Sequence, residues 1–401
     1  MTRTAQKTDV GARSSVALDD FYGLEPLYTA EERRLRDTMR AFVAAEILPH
    51  IGDWWQREHF PPHLPRALGE LGLLGVSLPK AYGGQGASHT AYGLVCQALE
   101  YGDSGLRSFL SVQSSLVMYP LYKYASETLQ KRWLPPLATG EAVGCFALTE
   151  PHGGSDPSRM KVTARRVGGE YVLSGHKRWS TNGLIADLAI VWAKEEGSDQ
   201  VVGFAVETRS EGFEARGIPG RASLRASVSS EVFLHEVRVP AENKLAVEGL
   251  RGPLSCLNAA RFGIAFGALG AGYACFDEAR RYVAERELFG ESLAHKQLVQ
   301  AGLADMLAEL TKGSLLAYHL GRLKEAGQDT PARVSLAKRD NVRAAQRVAR
   351  TARDLLGGNG ILTEHASIRH LLNLESVATY EGTDAVHTLV LGREITGHNA
   401  F

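Results

Sequence analysis

The chain has 401 residues, with 45 Lys plus Arg balanced by 45 Asp plus Glu, for a formal net charge of +0. Hydrophobic residues make up 44% and charged residues 22%, which excludes general disorder and allows two or three domains with real cores. The neutral balance argues against a general nucleic-acid binder, and no polybasic segment is present to meet an anionic membrane surface.

Residues 1–26 read as a polar tail without the apolar stretch of a secretory signal. Thr29 and Glu32 have capping-box spacing, and Met39, Phe42, Val43, Ile47 and Leu48 continue a helical apolar pattern. A second helix follows Pro65, Pro79–Gly86 is a loop, and helix is expected from about Ala91 to Leu137. After Cys145 the pattern changes to strands: Val162–Ala164, Tyr171–Leu173, Leu188–Trp192, Val201–Val206, Val232–Leu234 and Val237–Val239, punctuated by glycines. From about Gly252 the chain reads as helices over 253–287, 294–326, 331–356, 365–374 and 383–397. The order helix, strand, helix predicts an α+β fold. The expected divisions are the tail at 1–26, a helical domain at 27–145, a β domain at 146–245 and a helical domain at 246–401.

Cys96, Cys145, Cys256 and Cys275 show no CxxC spacing, and His365 and His370 are five apart with no HExxH, so neither disulfides nor a metal site are expected. The uncharged run Phe262–Phe276 is too short to span a bilayer, and no membrane insertion is expected. The expected location is the cytoplasm, or the mitochondrial matrix in a eukaryote.

Several local features carry chemistry with a plain structural reading beside it. Gly267, Gly270 and Gly272 follow no strand, so they cannot form a dinucleotide-binding turn; close helix packing explains them better. The loop Thr149–Asp156 could hydrogen-bond a polar ring or merely connect elements. Glu381 lies between helices, before Gly382 and the candidate N-cap Thr383; alone it reads as a solvated carboxylate, or as a base if buried. Glu100, Asp103 and Arg107 can share a helix face, as a surface ion-pair cluster or as a clamp for a substrate carboxylate.

Together, the stretches CFALTEPHGGSD (145–156), KRWSTN (177–182), Arg286–Gly290 followed by Gln297, LLGGNG (355–360) and YEGT (380–383) resemble the acyl-CoA dehydrogenase family, in the family's order. The resemblance covers about Leu24 to Phe401. Within the family, DSGLRSFLSVQSSLVM (103–118), LNAARFGI (257–264) and the tail LGREITGHNAF (391–401) are most similar to the glutaryl-CoA branch. The resemblance implies a helical N-terminal domain, a middle β domain, a C-terminal four-helix domain, FAD and a homotetramer. It implies acyl-CoA as substrate and an electron-transferring flavoprotein as partner.

By resemblance, Phe146, Leu148, Thr149 and Ser155 face flavin or thioester, and Trp179, Ser180 and Thr181 lie behind the flavin ring. Arg286, Gln297, Leu355, Leu356, Gly357 and Gly358 match FAD contacts made across subunits, and Thr383 a phosphate contact. Leu254, Asn258, Arg261, Gly382 and Phe401 match acyl-CoA contacts. Glu381 matches the base that removes the α-proton, with its backbone NH polarising the thioester. Arg107, Ser108 and Ser111 match the pocket for a distal carboxylate, and Glu100 and Tyr380 positions of the decarboxylating branch. Ser180, Glu287-Leu288, Asp384-Ala385 and Glu394 depart from the usual pattern without removing a catalytic group. The implied reaction is oxidation and decarboxylation of glutaryl-CoA to crotonyl-CoA. The alternatives on the same scaffold are an acyl-CoA oxidase, a non-decarboxylating dehydrogenase of another dicarboxyl-CoA, or a flavin-containing lyase.

Overall fold

The computed structural model describes residues 17–400. Phe401 and the first sixteen residues of the expected tail lie outside that range. The rest of the tail is tied down: both Asp20 carboxylate oxygens accept backbone N–H groups, from Leu24 (2.6 Å) and Glu25 (3.0 Å). Helix α1 spans Ala30–Phe42, and Thr29 and Glu32 form the expected capping box. Short helices α2 (Ile51–Arg57) and α3 (Leu64–Glu70) follow.

The expected continuous helix up to Leu137 is instead several pieces. Helix α4 (His89–Gly102) stops at Asp103, whose φ of −166° is extended, and Asp103 then caps α5 (Ser104–Ser111) by accepting from Gly105 N at 2.6 Å. A π-helical stretch, Val112–Met118, leads to α6 (Tyr119–Tyr124), and Ser126 caps α7 (Glu127–Ala138). The hydrophobic pattern was right, but Asp and Ser supply side-chain acceptors that restart helices.

The middle of the chain forms an eight-stranded sheet: β1 (Gly144–Ala147), β2 (Thr163–Val167), β3 (Glu170–Thr181), β4 (Leu188–Glu195), β5 (Val201–Glu207), β6 (Phe213–Gly217), β7 (Ser229–Pro240) and β8 (Lys244–Glu248). The order is β6-β7-β3-β2-β4-β5-β8, with β1 paired parallel to β4. Side-chain alternation explains why β4 reads as one apolar run. Leu188, Ile190 and Trp192 face a core shared with helical residues such as Val117, Leu134 and Cys256. Ala189, Val191 and Ala193 face the other side, with Phe204 and Val232.

The C-terminal part holds α8 (Arg251–Glu285), a hairpin of β9 (Glu287–Leu288) and β10 (Glu291–Ser292), then α9 (Gln297–Glu325), α10 (Pro331–Leu355), α11 (Ala366–Thr379) and α12 (Asp384–Thr396). By length and composition α8 could cross a membrane, yet 67% of its most apolar window is buried within the fold. It packs against α4 and α10. The Gly270 position explains the close approach: a Cβ there would stand 2.0 Å from the Gln97 carbonyl oxygen. Leu35, Leu99 and Phe109 belong to the same core as Phe262, Leu310 and Val377, so N- and C-terminal helices share one hydrophobic interior.

Candidate active site

The turn between α11 and α12 is the centre of the site. Glu381 has φ 51° and Gly382 φ 95°, two successive left-handed residues. Glycine accepts this freely, whereas Glu381 does not, at a cost on the order of 1 kcal/mol. The conformation persists because the turn is held from several sides. Thr383 Oγ1 accepts from Val386 N (3.1 Å) and caps α12. Arg261 Nε donates to the Glu381 carbonyl (2.6 Å), and Lys338 Nζ donates to the carbonyls of Tyr380 (3.1 Å) and Gly382 (2.8 Å).

Glu381 is only half-buried as a residue, but its Oε2 is shut off from solvent and has no hydrogen-bond partner within the described chain. Burial raises its pKa to about 6, against the pull of the Arg107, Lys338 and Arg261 charges. A solvated carboxylate, the plain local reading, is therefore replaced by a desolvated one in the range where a base works near neutral pH.

Arg107 is likewise no surface residue. Both Arg107 and Glu100 have fully buried side chains, joined by Arg107 Nε donating to Glu100 Oε2 at 2.6 Å. Arg107 Nη2 donates to the Tyr380 hydroxyl, and the guanidinium carbon lies 5.6 Å from the Tyr380 ring centre. Arg107 Nη1 and Glu100 Oε1 are buried with no partner among the described residues, as is Ser111 Oγ one turn along α5; Ser108 beside them is buried. Burial is the largest single influence and opposes the charge on Arg107, but Glu100, Tyr380 and Cys96 together outweigh it and hold the guanidinium's pKa well above its usual value.

Asp103 does not join this group. Its second oxygen accepts from Asn373 Nδ2 (2.7 Å), while Asn373 Oδ1 accepts from Trp55 Nε1 (3.1 Å) and Leu224 N (2.7 Å). Asn373 thus locks α11 to α2, to a loop of the β domain and to the α4–α5 junction that carries Arg107.

Space for the buried ion pair comes from Gly267 on α8. A Cβ there would lie 2.2 Å from Glu100 Oε2 and 3.1 Å from Arg107 Nε. Gly267→Ala should destabilise the fold by about 1–3 kcal/mol through overpacking and disturb the pair. A thermal melt, with the rate ratio for dicarboxylic and monocarboxylic acyl thioesters, checks both.

A second cluster lies where β1 leads into the Gly-rich loop. The Thr149 carbonyl accepts from Arg178 N (2.8 Å), which brings the loop against β3 beside Trp179. Below it, the buried Lys177 Nζ donates to Glu150 Oε1 (2.8 Å) and to the Leu148 carbonyl (2.9 Å). Glu150 also accepts from Lys161 N and Val162 N, so the loop's ends are pinned. A register shift between Lys177 and Ser180 goes with Trp179 at φ 63°, a residue 54% exposed. Ser180 is buried, with its carbonyl accepting from Ser230 Oγ (2.9 Å); Thr181 is half-buried and Ser155 exposed. Phe146 and Leu148 are buried, the Phe146 ring edge-on to Trp192.

Leu254, Asn258 and Arg261 follow one another at helical spacing on α8, leading to the Glu381 turn; Asn258 Oδ1 is buried and unpaired. Arg286 and Gln297 are exposed, with Phe289 (93% exposed) and Leu298 (88% exposed) near them in the chain. Leu355 is half-buried and Leu356 buried, whereas Gly357 and Gly358 present open backbone, with nothing within 4 Å of a Cβ built on either. No hydrogen bond among the described residues joins this third group to the Trp179 cluster.

Family models for the N-terminal, middle and C-terminal domains of acyl-CoA dehydrogenase match residues 29–141, 145–237 and 248–396. The chain belongs to the acyl-CoA dehydrogenase family. It is 32% identical to the mitochondrial short-chain specific acyl-CoA dehydrogenase of Rattus norvegicus, over 94% of this chain and 93% of that one. Its structure is similar to that of a glutaryl-CoA dehydrogenase from Mycobacterium smegmatis in complex with FADH2: TM-score 0.94, 47% identity, 96% of this chain and 100% of that chain. It is also similar to a chain in a structure of the electron transferring flavoprotein of Acidaminococcus fermentans, with TM-score 0.90, 30% identity, 92% of this chain and 99% of that one.

Acyl-CoA dehydrogenases carry FAD. The Trp179 cluster fits such a group: an exposed indole beside a pinned polar loop offers a flat apolar face next to hydrogen-bonding backbone. In this acyl-CoA dehydrogenase, sequence reasoning missed Lys338, Gly267 as space for an ion pair, Asn373 and the Lys177–Glu150 pair. Lys338 left a signal. It occupies the apolar stripe of α10 with Val334, Asn341 and Ala345, all buried, where a lysine is out of place unless paired.

Proposed function

We propose that this enzyme oxidises glutaryl-CoA and decarboxylates the product to crotonyl-CoA and CO2. The observation that carries this reading is Arg107 Nη1, fully buried, unpaired and one residue's contact from the base through Tyr380. An unpaired guanidinium edge is costly in a dry interior, and a substrate carboxylate satisfies it. A monocarboxylic acyl chain leaves it unsatisfied. The likeness to a glutaryl-CoA dehydrogenase at 47% identity supports the same substrate.

Glu381 as carboxylate accepts the α-proton, and Tyr380, its neighbour in the chain, carries the contact to Arg107 that supports an acyl tail held on that side. FAD bound against Trp179 supplies the acceptor for the β-hydride. After oxidation the distal carboxylate sits on the γ-carbon, and loss of CO2 leaves an electron pair conjugated to the thioester. Glu381, now protonated, returns its proton to the γ-carbon. Glu100 balances the charge of Arg107, so release of the carboxylate as CO2 leaves no net buried cation. Tyr380, whose hydroxyl burial keeps protonated, accepts from Arg107 and retains a proton to donate.

The exposed Phe289 and Leu298 near Arg286 and Gln297 support a homotetramer in which those two residues reach a neighbouring subunit's FAD. An electron-transferring flavoprotein is the proposed acceptor.

The test is to supply glutaryl-CoA and an artificial electron acceptor and to weigh the CoA product. Crotonyl-CoA is expected. Glutaconyl-CoA would retain the dehydrogenase and remove the decarboxylation; hydrogen peroxide in proportion to turnover without an added acceptor would favour an oxidase. A pH profile adds a second check. The base works ionised, so the rate of flavin reduction should rise with pH through about 6, the raised value for Glu381.

A further inference from the structure

Three successive carbonyls of the base-bearing turn accept hydrogen bonds from buried or half-buried cations on two other helices. Lys338 on α10 takes the carbonyls of Tyr380 and Gly382, on either side of the base, and Arg261 on α8 takes that of Glu381 itself. None of the three bonds belongs to a helix or sheet ladder. Lys338 is 1% exposed, and both its hydrogen bonds go to this turn. A buried ammonium is expensive unless it is paired, and here the partners are backbone dipoles with the Glu381 carboxylate near by.

The turn has little freedom to compensate for a lost clamp. A Cβ at Gly382 would stand 2.8 Å from His387 Nε2 and 3.2 Å from Arg261 Nη2, so the backbone is packed tightly on that side. Glu381 itself is held left-handed, a conformation its Cβ disfavours. Without the Lys338 bonds, two carbonyls lose their donors and the residue between them can relax to negative φ, swinging its carboxylate away.

We propose that Lys338 is a positioning residue for the base: it clamps the backbone on both sides of Glu381, and its charge favours the ionised carboxylate. This rests on the reading of Glu381 as the base.

The electrostatics agree with the geometry. The groups facing Glu381 are Cys96 from α4, Arg107 from α5, Arg261 from α8, Lys338 from α10, its neighbour Tyr380 and the buried His387 from α12. Burial lowers His387 to about 3, so it is neutral and offers no compensating charge. Asp384 acts on Lys338 from the first turn of α12, but Arg343 binds it through both oxygens at 2.6 Å. Burial lowers Lys338 to about 7, with Arg261 and Arg107 pushing the same way and Glu381 resisting. Lys338 donates to two carbonyls of the turn and its positive charge favours the ionised Glu381, so removing it should move the carboxylate upward.

The experiment uses the full-length holoenzyme with Lys338→Met, Lys338→Gln and Lys338→Arg. The protonated carboxyl band of Glu381, identified by its loss in Glu381→Gln, is titrated by difference infrared spectroscopy. In the Met and Gln variants the midpoint should rise by about one pH unit, and in the Arg variant it should stay near wild type. In anaerobic rapid mixing at pH 7, the limiting rate of flavin reduction should fall about tenfold or more in the Met variant while substrate Kd changes less than about twofold. Bound FAD and the melting temperature report folding. An unshifted midpoint in either neutral variant that folds overturns the proposal, as does a raised Kd with an unchanged limiting rate. The infrared midpoint is read without substrate, so it stands even if glutaryl-CoA proves to be the wrong acyl group.

Discussion

Glu381→Gln should slow flavin reduction by glutaryl-CoA about ten-thousand-fold while leaving the protein yellow, since a positioned general base contributes up to about that factor. The amide is nearly the same size as the carboxylate and is neutral, so it avoids the burial that raises Glu381 to about 6. Arg261 and Lys338 bind the backbone of the turn and not the carboxylate, so both hydrogen bonds survive the substitution. FAD content and melting temperature should then match wild type or rise slightly, because a desolvated carboxylate has been removed. Anaerobic stopped-flow bleaching of the flavin measures the rate. Reduction at the wild-type rate would remove Glu381 from the mechanism.

The second large effect is on substrate choice. Arg107→Met alone leaves Glu100 buried without its partner, and breaking a buried pair in this way costs about 3–5 kcal/mol of stability. The informative variant is therefore Arg107→Met with Glu100→Gln, which removes both charges. It should lose about 100- to 1000-fold in kcat/KM for glutaryl-CoA, the loss of a charge-assisted, desolvated carboxylate contact. Butyryl-CoA has no distal carboxylate and should lose less than about tenfold through repacking alone. Equal losses for both substrates would mean that Arg107 is a structural cation which supports Tyr380 and never meets a substrate.

These effects depend on features of unequal legibility. The capping box at Thr29, the caps at Thr330 and Thr383 and the periodic runs of the five C-terminal helices were readable because each is local: an acceptor side chain before a helix, or helical apolar spacing within it. Strands β2, β3, β4, β5 and β7 were readable from β-branched runs and glycine punctuation, whereas β6 and β8, five residues each with charged residues among them, were missed. The breaks at Asp103 and Ser126 were not, because continuous apolar patterning hides a cap inside it. The short β9–β10 hairpin was missed for the same reason in reverse, with two residues per strand giving no period to detect.

The site divides along the same line. Five ordered motifs carried the family resemblance, and with it the expectation that Glu381 and Arg107 matter. Their local sequence favoured the bland readings, a solvated carboxylate and a surface ion pair, over a buried base and a carboxylate clamp. Burial decided otherwise, and burial is a property of neighbours that lie far off in the chain. Arg107 and Tyr380 are 273 residues apart, and Asp103 and Asn373 are 270 apart.

The sequence by itself determined the class of fold, the order of its elements and the motifs of the family, since these follow from periodicity, capping and composition along a contiguous chain. Only the tertiary structure decided that the first and last helical regions share one core. It also decided that Gly267 makes room for Glu100 and Arg107, and that Lys338 and Arg261 hold the turn of the base. The physical reason is that desolvation and close approach depend on what stands opposite a residue. No local pattern specifies that until α4, α5, α8, α10 and α11 have packed together.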